Sequence, residues 1–575
     1  MAKDHFWRHF WRLFKPYWFS EEKGVARLLL FSVIALTLGI VYMEVLFNRW
    51  NNDFYNSLQD KKQAEFFRLI GLFGWYALAW IIMQVYRQYL TQMLQIRWRR
   101  WLTERYLGEW LRERVYYRMQ LSDKGTDNPD QRIAEDFRLF VEQTLSLALG
   151  LLNAVVTLVS FVTILWGLSG VLKFAWGGQQ IAVPGYMVWV ALVYATIGTV
   201  LVHFVGRRLI ALNFNQQRYE ADFRFSLVRF RENAEGVALY KGESGEMHGF
   251  RERFRTLLEN FRRIMIQQKR LTWFSSGYGQ IAIIFPYVVA APRYFAGAIQ
   301  LGGLMQTASA FNQVQGALSW FVDAYTQFAH WKATVDRLTG FAAAIDEARP
   351  AANNGRVPNF ALGAGSVTVN GLDLSLPDGT PLLQGARFNV NPGDTLLVAG
   401  PSGSGKSTLF RAIAGIWPFG KGAIATPDPQ HTLFLPQRAY LPVGTLREVV
   451  SFPAPSDKFS DTAIRTALED CKLGHLAGRL DEAQNWALQL SPGEQQRLSF
   501  ARVLLIKPSW LFLDEATSAL DDATEARMYA LVRERLPAVT VISIGHRPSL
   551  RQFHTRRIEL APSANGPSTL AETPA

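Results

Sequence analysis

Between positions 400 and 408 the chain reads Gly400-Pro401-Ser402-Gly403-Ser404-Gly405-Lys406-Ser407-Thr408. Glycines in such a loop let backbone N–H groups close around phosphate oxygens, and a helix opening at its end adds partial positive charge. Lys406 is long enough to reach β- and γ-phosphates, and the Ser407 hydroxyl suits Mg²⁺. The motif demands a strand before it and a helix after it. Leu396-Leu397-Val398-Ala399 reads as a buried strand and Leu409-Phe410-Arg411-Ala412-Ile413-Ala414 as a helix. With those flanks a chance Gly/Ser-rich turn is the weaker explanation. Gly400, Ser402, Gly403, Ser404, Gly405, Lys406, Ser407 and Thr408 are therefore expected to hold a nucleotide. Downstream, Ser509-Trp510-Leu511-Phe512-Leu513 is an apolar strand ending in Asp514-Glu515. A carboxylate at a strand end can hold Mg²⁺ through water, which assigns Asp514 to the metal. Glu515 beside it is placed to polarise an attacking water as general base.

These residues need a scaffold, and the chain offers two kinds. Its 575 residues exceed one domain, and its 49% hydrophobic content is unevenly spread. Long apolar runs near 28–47, 67–86, 145–169, 185–206, 276–298 and 302–327 are each long enough to cross ~30 Å of hydrocarbon as a helix. About six transmembrane helices are expected. Arg97, Arg99, Arg100 and Arg105 follow the second run, and Arg207, Arg208, Arg229, Arg231 and Arg251 follow the fourth. Lys/Arg excess marks cytoplasmic loops, so the N-terminus, both long loops and the C-terminal half are expected in the cytoplasm. The net charge of +13 is explained by that topology, and nucleic acid is not an expected partner. Cys471 is the only cysteine, which excludes an intrachain disulfide and disfavours a cysteine metal site. No signal peptide is expected from the first residues.

The domain boundaries follow from composition. Residues 1–27 interleave Phe6, Trp7, Phe10, Trp11, Phe14 and Trp18 with Arg8, Arg12 and Lys15, and are expected to form an elbow helix in the membrane interface. Residues 28–342 form the membrane domain, with two long helical loops. Asn128-Pro129 signals a turn with Asp130 as helix cap; 343–362 is a linker, 363–562 an α/β domain, and 563–575 a disordered tail. Glu44 on the first span and Gln306, Asn312, Gln315 and Asp323 on the last are costly against lipid. They are expected to face a wet, mildly acidic cavity, or to hydrogen-bond neighbouring helices.

Four further motifs carry a resemblance. Leu490-Ser491-Pro492-Gly493-Glu494-Gln495-Gln496-Arg497 resembles the signature of the ATP-binding cassette superfamily. Gln437 in Leu435-Pro436-Gln437-Arg438 matches its Q-loop, Ser518-Ala519-Leu520-Asp521 its D-loop, and His546 in Ser543-Ile544-Gly545-His546-Arg547 its switch histidine. The phosphate loop and Asp514-Glu515 complete the set. Pro436–Arg447, Gly415-Ile416-Trp417-Pro418, Asn128-Pro129-Asp130-Gln131 and the segment 235–242 resemble one group in particular. It joins the peroxisomal fatty-acyl transporters (subfamily D) to the YddA-like and BacA/SbmA-like bacterial transporters. The resemblance implies an exporter-type half-transporter, an α-helical membrane domain followed by an α/β P-loop ATPase domain. It also implies a homodimer with two composite sites for ATP and Mg²⁺. Gln437 would sense Mg²⁺ and the attacking water, His546 would contact the γ-phosphate, Ser491, Gly493 and Asp521 would complete the partner's site, and the turns near 120–130 and 232–242 would rest on the ATPase domains.

Two departures stand out. Leu374-Ser375-Leu376-Pro377-Asp378-Gly379 has no aromatic residue to stack on the base, leaving Leu376 or Pro377. The signature carries Pro492 and Glu494 where Gly and Gln are commoner, and Pro removes a backbone N–H. The expected function is ATP-driven transport of peptides of the antimicrobial type, or of other bulky hydrophilic compounds such as cobalamin, across a bacterial inner membrane. Transport of long-chain fatty-acyl-CoA or lipid is the alternative cargo. A non-transporting ATP-gated sensor or channel is the alternative of another class.

Overall fold

The computed structural model describes residues 2–574 apart from 122–127, 177–178, 350–358 and 564–565. At 2–5, 172–176, 179–181, 202–203, 210, 321–323, 325–326, 562–563 and 573–574 it describes the backbone alone. The chain divides into two compact units, Met1–Leu107 with Asn128–Ala342, and Gly108–Asp127 with Ala343–Ala575.

The first unit is helical. Its elements are α1 (Ala2–Phe14), α2 (Lys23–Gln59), α3 (Gln63–Leu111), α4 (Val115–Leu121), α5 (Pro129–Gln131), α6 (Phe137–Ser169), the hairpin β1 (Val171–Trp176) and β2 (Gln179–Pro184), α7 (Tyr186–Glu232), α8 (Ala234–Tyr240), α9 (Glu243–Phe295) and α10 (Leu301–Glu347). Of these, α4 and the end of α3 lie in the second unit. Among the described residues five stretches are long and apolar enough to cross a membrane, on α2, α3, α6, α7 and α9. The sixth expected span lies on α10, which is not one of the five; Gln306, Asn312, Gln313 and Gln315 interrupt its apolar run. At ~1.5 Å per residue the 53 residues of α9 far exceed ~30 Å of hydrocarbon, so the helices continue beyond it.

Two local readings gain detail. Much of the N-terminal aromatic face packs on protein. Phe10, Tyr17 and Trp18 are buried, Tyr17 stacks on Trp98 at 5.5 Å, and Phe10 meets Trp331 at 5.1 Å and Phe140 at 6.2 Å. Trp7 and Trp11 stay exposed. An amphipathic stripe buries equally well on either surface, and here the bundle supplies aromatic faces. The helix cap is Asn128, extended at φ −102, with Pro129 in the first turn, not Asp130. Proline there loses only an N–H that has no helical partner. The next five residues, Arg132–Asp136, form a π-turn. It carries the buried Asp136, which accepts from Arg132 at 2.7 Å and from the Arg337 fork at 2.7 and 3.0 Å, tying the start of α6 to α10.

The second unit is built on a sheet of ten strands. They are β3 (Asn359–Leu362), β4 (Val367–Ser375), β5 (Pro381–Val390), β6 (Thr395–Ala399), β7 (Gly420–Thr426), β8 (Thr432–Leu435), then, beyond the two-residue pair β9 (Gly444–Thr445) and β10 (Ala483–Gln484), β11 (Trp510–Asp514), β12 (Thr540–Ile544), β13 (Arg556–Ser563) and β14 (Gly566–Pro574). The sheet order is β3-β7-β4-β5-β14-β13-β6-β12-β11-β8. Helices α11 (Lys406–Ile413), α12 (Leu446–Ser451), α13 (Asp461–Asp470), α14 (Trp486–Gln489), α15 (Pro492–Ile506) and α16 (Asp522–Arg535) complete it. The buried runs of β6 and β11 show why those stretches read as continuous apolar sequence.

Three boundaries differ from the sequence expectation. Strand β3, inside the expected linker, pairs with β7. The expected disordered tail holds β14, which pairs antiparallel with β13 and touches β5 through Ser568 and Leu383. Gly108–Asp127 belongs with the ATPase unit and not with the membrane domain. Glu113 and Arg114 adopt left-handed backbone angles, φ +53 and +60, after α3. Arg114 then donates to the Ala414 carbonyl at 2.6 Å, and Leu121 packs against the sheet core. The expected turn near 120–130 falls partly on 122–127, outside the described residues.

Candidate active site

Strands β6, β12, β11 and β8 are parallel neighbours. In an open α/β sheet, ligands bind outside the carboxyl ends of such strands. The expected residues leave from those ends: the phosphate loop after Ala399, Gln437 after Leu435, Asp514 at the tip of β11, and His546 just past Ile544. Residues far apart in sequence therefore converge.

The phosphate loop is shaped for an anion. Gly403 and Gly405 lie at φ +81 and +95, and Gly400 at φ +143, where a Cβ would meet the Leu560 carbonyl at 2.6 Å. Only glycine fits all three. Lys406 donates to the Gly400 and Pro401 carbonyls, both at 2.8 Å, and so holds its ammonium over the loop. Burial pushes that ammonium down from its usual pKa, while Glu515 and Asp514 oppose the shift. Ser404 Oγ is buried without a hydrogen-bond partner, and a phosphate oxygen would satisfy it. Ser407 donates to Asp514 Oδ1 at 3.0 Å, bringing together the two groups expected to serve Mg²⁺. Burial pushes the Asp514 carboxyl up; the Ser407 bond opposes this and Glu515 adds to it. An oxygen pair charged and buried in this way suits a hard divalent cation. The loop and the pair fit a Mg²⁺-nucleotide.

Glu515 is the centre of the site. His546 Nε2 stands 2.9 Å from one carboxylate oxygen, and Gln437 donates to the other at 2.8 Å. The Glu515 backbone is left-handed at φ +49, and its N–H is held by the Ile544 carbonyl of the neighbouring strand at 3.1 Å. A non-glycine residue there is strained, and such strain gathers where a side chain must be aimed.

The signature heads α15. Ser491 is the helix cap and Pro492 occupies the first turn, where its missing N–H costs nothing. Glu494 completes a capping box, accepting from the Ser491 backbone at 3.0 Å and hydroxyl at 2.8 Å. Those two bonds hold its carboxyl below the usual range, and His475 stands 3.2 Å away. Both departures from the commoner signature are thus structural fits. Asp521 caps α16 through the Thr524 N–H and hydroxyl, each at 2.8 Å. Among the described residues no hydrogen bond or ion pair joins Ser491, Gly493 or Asp521 to the Glu515 carboxylate or the phosphate loop. Leu376 and Pro377 line a cavity of about 740 Å³ with Pro418 and Phe419.

Sequence reasoning missed the residues that join these motifs. Gln496, buried in α15, donates to the Gln437 carbonyl at 3.2 Å and the Ser518 hydroxyl at 3.1 Å, and accepts from Ala519 N–H at 2.9 Å. Arg547 donates to the Leu520 carbonyl at 2.8 Å and stands 3.6 Å from Glu525. Glu525, buried in α16, accepts from Thr517 at 2.5 Å and Ser549 at 3.1 Å. The stretch 517–521 is thereby fastened to both the signature helix and the switch loop. The only signal in sequence was adjacency: Gln496 and Arg547 sit inside or beside recognised motifs.

Comparison with known proteins agrees with this geometry. Residues 12–295 match the model described as ABC transporter transmembrane region 2, and 383–518 the model described as ABC transporter. The inner membrane ABC transporter ATP-binding protein YddA of Escherichia coli is 36% identical over 94% of each chain. The chain belongs to the ABC transporter family. The chloroplastic ABC transporter D family member 2 of Arabidopsis thaliana is 36% identical, over 96% of this transporter and 86% of its own length. The lysosomal cobalamin transporter ABCD4 of Mus musculus is 28% identical over 95% and 92%. The group implied by the motifs is therefore the right one. A bacterial Atm1-family ABC exporter with ATP bound matches with TM-score 0.72 over 94% of each chain at 19% identity, which shows the exporter-type fold.

In the membrane unit, the transporter's polar residues are placed differently from expectation. Glu44 is half-buried and within electrostatic reach of Arg87. Gln306 is buried, its carbonyl accepting from Asn48 at 3.1 Å. Gln315 bonds Ser319 on its own helix at 3.0 Å, and Asn312 is exposed. The Asp323 side chain lies outside the described residues. A polar cavity of about 640 Å³ lies between α2, α3 and α6, and among the described residues Glu44, Gln306, Asn312 and Gln315 do not line it.

Proposed function

We propose that the protein is a homodimeric, ATP-driven transporter of a bacterial inner membrane, carrying a bulky hydrophilic solute of the peptide or cobalamin class. The observation that carries the ATPase half is the Glu515 carboxylate, bracketed by His546 and Gln437 beside the Ser407–Asp514 pair. Mg²⁺, when bound, would neutralise charge on the transferring phosphoryl group. Lys406 and the loop N–H groups would hold the β- and γ-phosphates, and Glu515 would draw the proton from the attacking water. Gln437 would orient that water and His546 would steady the γ-phosphate. Ser491 and Gly493 have no role on their own chain's phosphate loop, which supports a second copy completing each site. Leu239 and Tyr240 on α8, 77% and 90% exposed, support the same reading, because large apolar tips of this kind mark contact surfaces.

YddA is described as an inner membrane protein and ABCD4 as a cobalamin transporter. Those descriptions, with the polar lining of the α2–α3–α6 cavity, support a hydrophilic cargo over an acyl chain. The test is Glu515→Gln in proteoliposomes. Turnover is expected to fall by at least ~100-fold, as loss of a general base requires, with nucleotide retained on the protein. Undiminished hydrolysis in that variant would remove Glu515 from the mechanism. Intact hydrolysis in the parent chain without vesicle uptake of any solute would move the protein to the sensor or channel class.

A further inference from the structure

The apolar run of α3 gives way to four glutamines on one helical face, Gln84, Gln88, Gln92 and Gln95. All four line the 640 Å³ cavity, together with Arg87 and Asn153. At ~1.5 Å per residue the glutamine row is ~16 Å long, enough to span a sizeable solute. Among the described residues, none of these six side chains makes a hydrogen bond to the protein. Arg87 has one electrostatic partner, Glu44, which does not line the cavity. Five amides and a guanidinium without a hydrogen bond to the described residues cannot face hydrocarbon cheaply. They must be met by water, by a solute, or by both.

The donor set also says which solute. Among the described residues Arg87 is the only charged group in the lining, and its planar fork, which makes no hydrogen bond to them, can take a phosphate or carboxylate in bidentate fashion. Primary amides offer both donors and acceptors, which suits amides and hydroxyls on the bound molecule. We propose that this cavity is the transporter's solute site, and that it takes a hydrogen-bond-rich polar solute bearing an anionic group. The anion sits on Arg87 and the polar body along the glutamine row. The proposal rests on the transport reading above and narrows it away from purely cationic peptides.

The chain's sole cysteine makes the test clean. Cys471 is fully buried in the ATPase unit, and burial pushes its thiol up to about 12, so it will not react. Full-length Gln88→Cys and Gln92→Cys proteins in liposomes are exposed to a membrane-impermeant methanethiosulfonate reagent. Both are expected to label, because the face is wet. Cobalamin and a long-chain acyl-CoA, each carrying phosphate, are expected to slow labelling when added, and whichever protects at lower concentration identifies the source of the anion. A lysine-rich peptide is expected not to protect. Adding Arg87→Gln should raise the half-protecting concentration about tenfold, the cost of one charge-assisted hydrogen bond. Should that variant fail to assemble, Arg87→Lys keeps the charge without the fork and should show a smaller loss.

Failure of both positions to label would overturn the wet cavity. Labelling without protection by either phosphate-bearing solute, or protection by the peptide that ignores Arg87, would overturn the ligand class. Hydrolysis by the parent chain, abolished by Glu515→Gln, is measured on the same vesicles. If it is absent, the transport reading fails; if it is present, only the cavity assignment is at stake.

Discussion

Glu515 is aimed by its surroundings more than by its own rotamer. Its left-handed backbone is pinned to β12, and the loop that follows is held by Glu525 and Arg547. Glu525 is almost wholly buried, and among the described residues Arg547 is its only cationic partner. Removing one member of such a pair strands a buried charge, at a cost of ~3–5 kcal/mol when no solvent reaches it. Arg547 is about a third exposed, so water will recover part of that. Arg547→Ala is accordingly expected to lower steady-state hydrolysis about tenfold while nucleotide affinity stays within about twofold, because the phosphate loop is untouched. A filter-binding measurement beside a turnover assay separates the two effects, and equal loss of both would show global destabilisation instead. The residues proposed to meet phosphate, metal and water were legible in the sequence because that chemistry demands fixed types in a fixed order. Arg547, Glu525 and Gln496 were not. Their roles come from the approach of α15, α16 and the switch loop, which no spacing rule records. Asp130 shows the same limit in miniature, since either it or Asn128 satisfies the rules for a cap.

At the scale of elements, periodicity reveals most where one solvent dominates. Long apolar helices and the buried strands β6 and β11 announce themselves, because every side chain meets the same environment. Strand β14 does not. Its residues, Gly566-Pro567-Ser568-Thr569-Leu570-Ala571-Glu572-Thr573-Pro574, are polar and small, with Leu570 the one large apolar group, packed against the sheet core. The strand exists because β13 offers it a complete antiparallel ladder, a long-range partner that local sequence cannot show. The aromatic N-terminus is ambiguous for the opposite reason: its pattern is strong, but a lipid interface and a protein groove ask for the same pattern. The position of β14 gives it weight. Between β5 and β13 it covers the edge of β13, and deletion of 566–575 would leave that edge open. Truncation after Ser563 is expected to lower the thermal midpoint of the full-length protein by several degrees and to increase aggregation. Light scattering alongside a thermal melt checks both, and a midpoint unchanged within a degree would show that β14 contributes no stability.

At the scale of the whole molecule the proposed homodimer can be tested, because one chain holds a complete set of parts without joining them all. Lys406, Asp514, Glu515, Gln437 and His546 converge, whereas among the described residues Ser491 makes no hydrogen bond to any of them. If each site combines the catalytic cluster of one copy with the signature of the other, lesions in the two halves can be sorted between subunits. A dimer pairing a Glu515→Gln chain with a Ser491→Arg chain places both lesions in one site and leaves the other site wholly native. Each variant alone has no native site. Random pairing at equal ratio makes half the dimers mixed, so co-assembled protein should recover about a quarter of native hydrolysis if the sites turn over independently. Stronger coupling between the sites lowers that figure without abolishing it. A self-contained site would behave otherwise, because every Glu515→Gln chain would be dead and every Ser491→Arg chain would act alone. The decisive comparison is therefore mixed assembly against a simple blend of the two separately reconstituted homodimers. Recovery confined to mixed assembly supports a site shared across copies, and identical rates in both preparations would show that Ser491 and Glu515 do not meet at one nucleotide across copies.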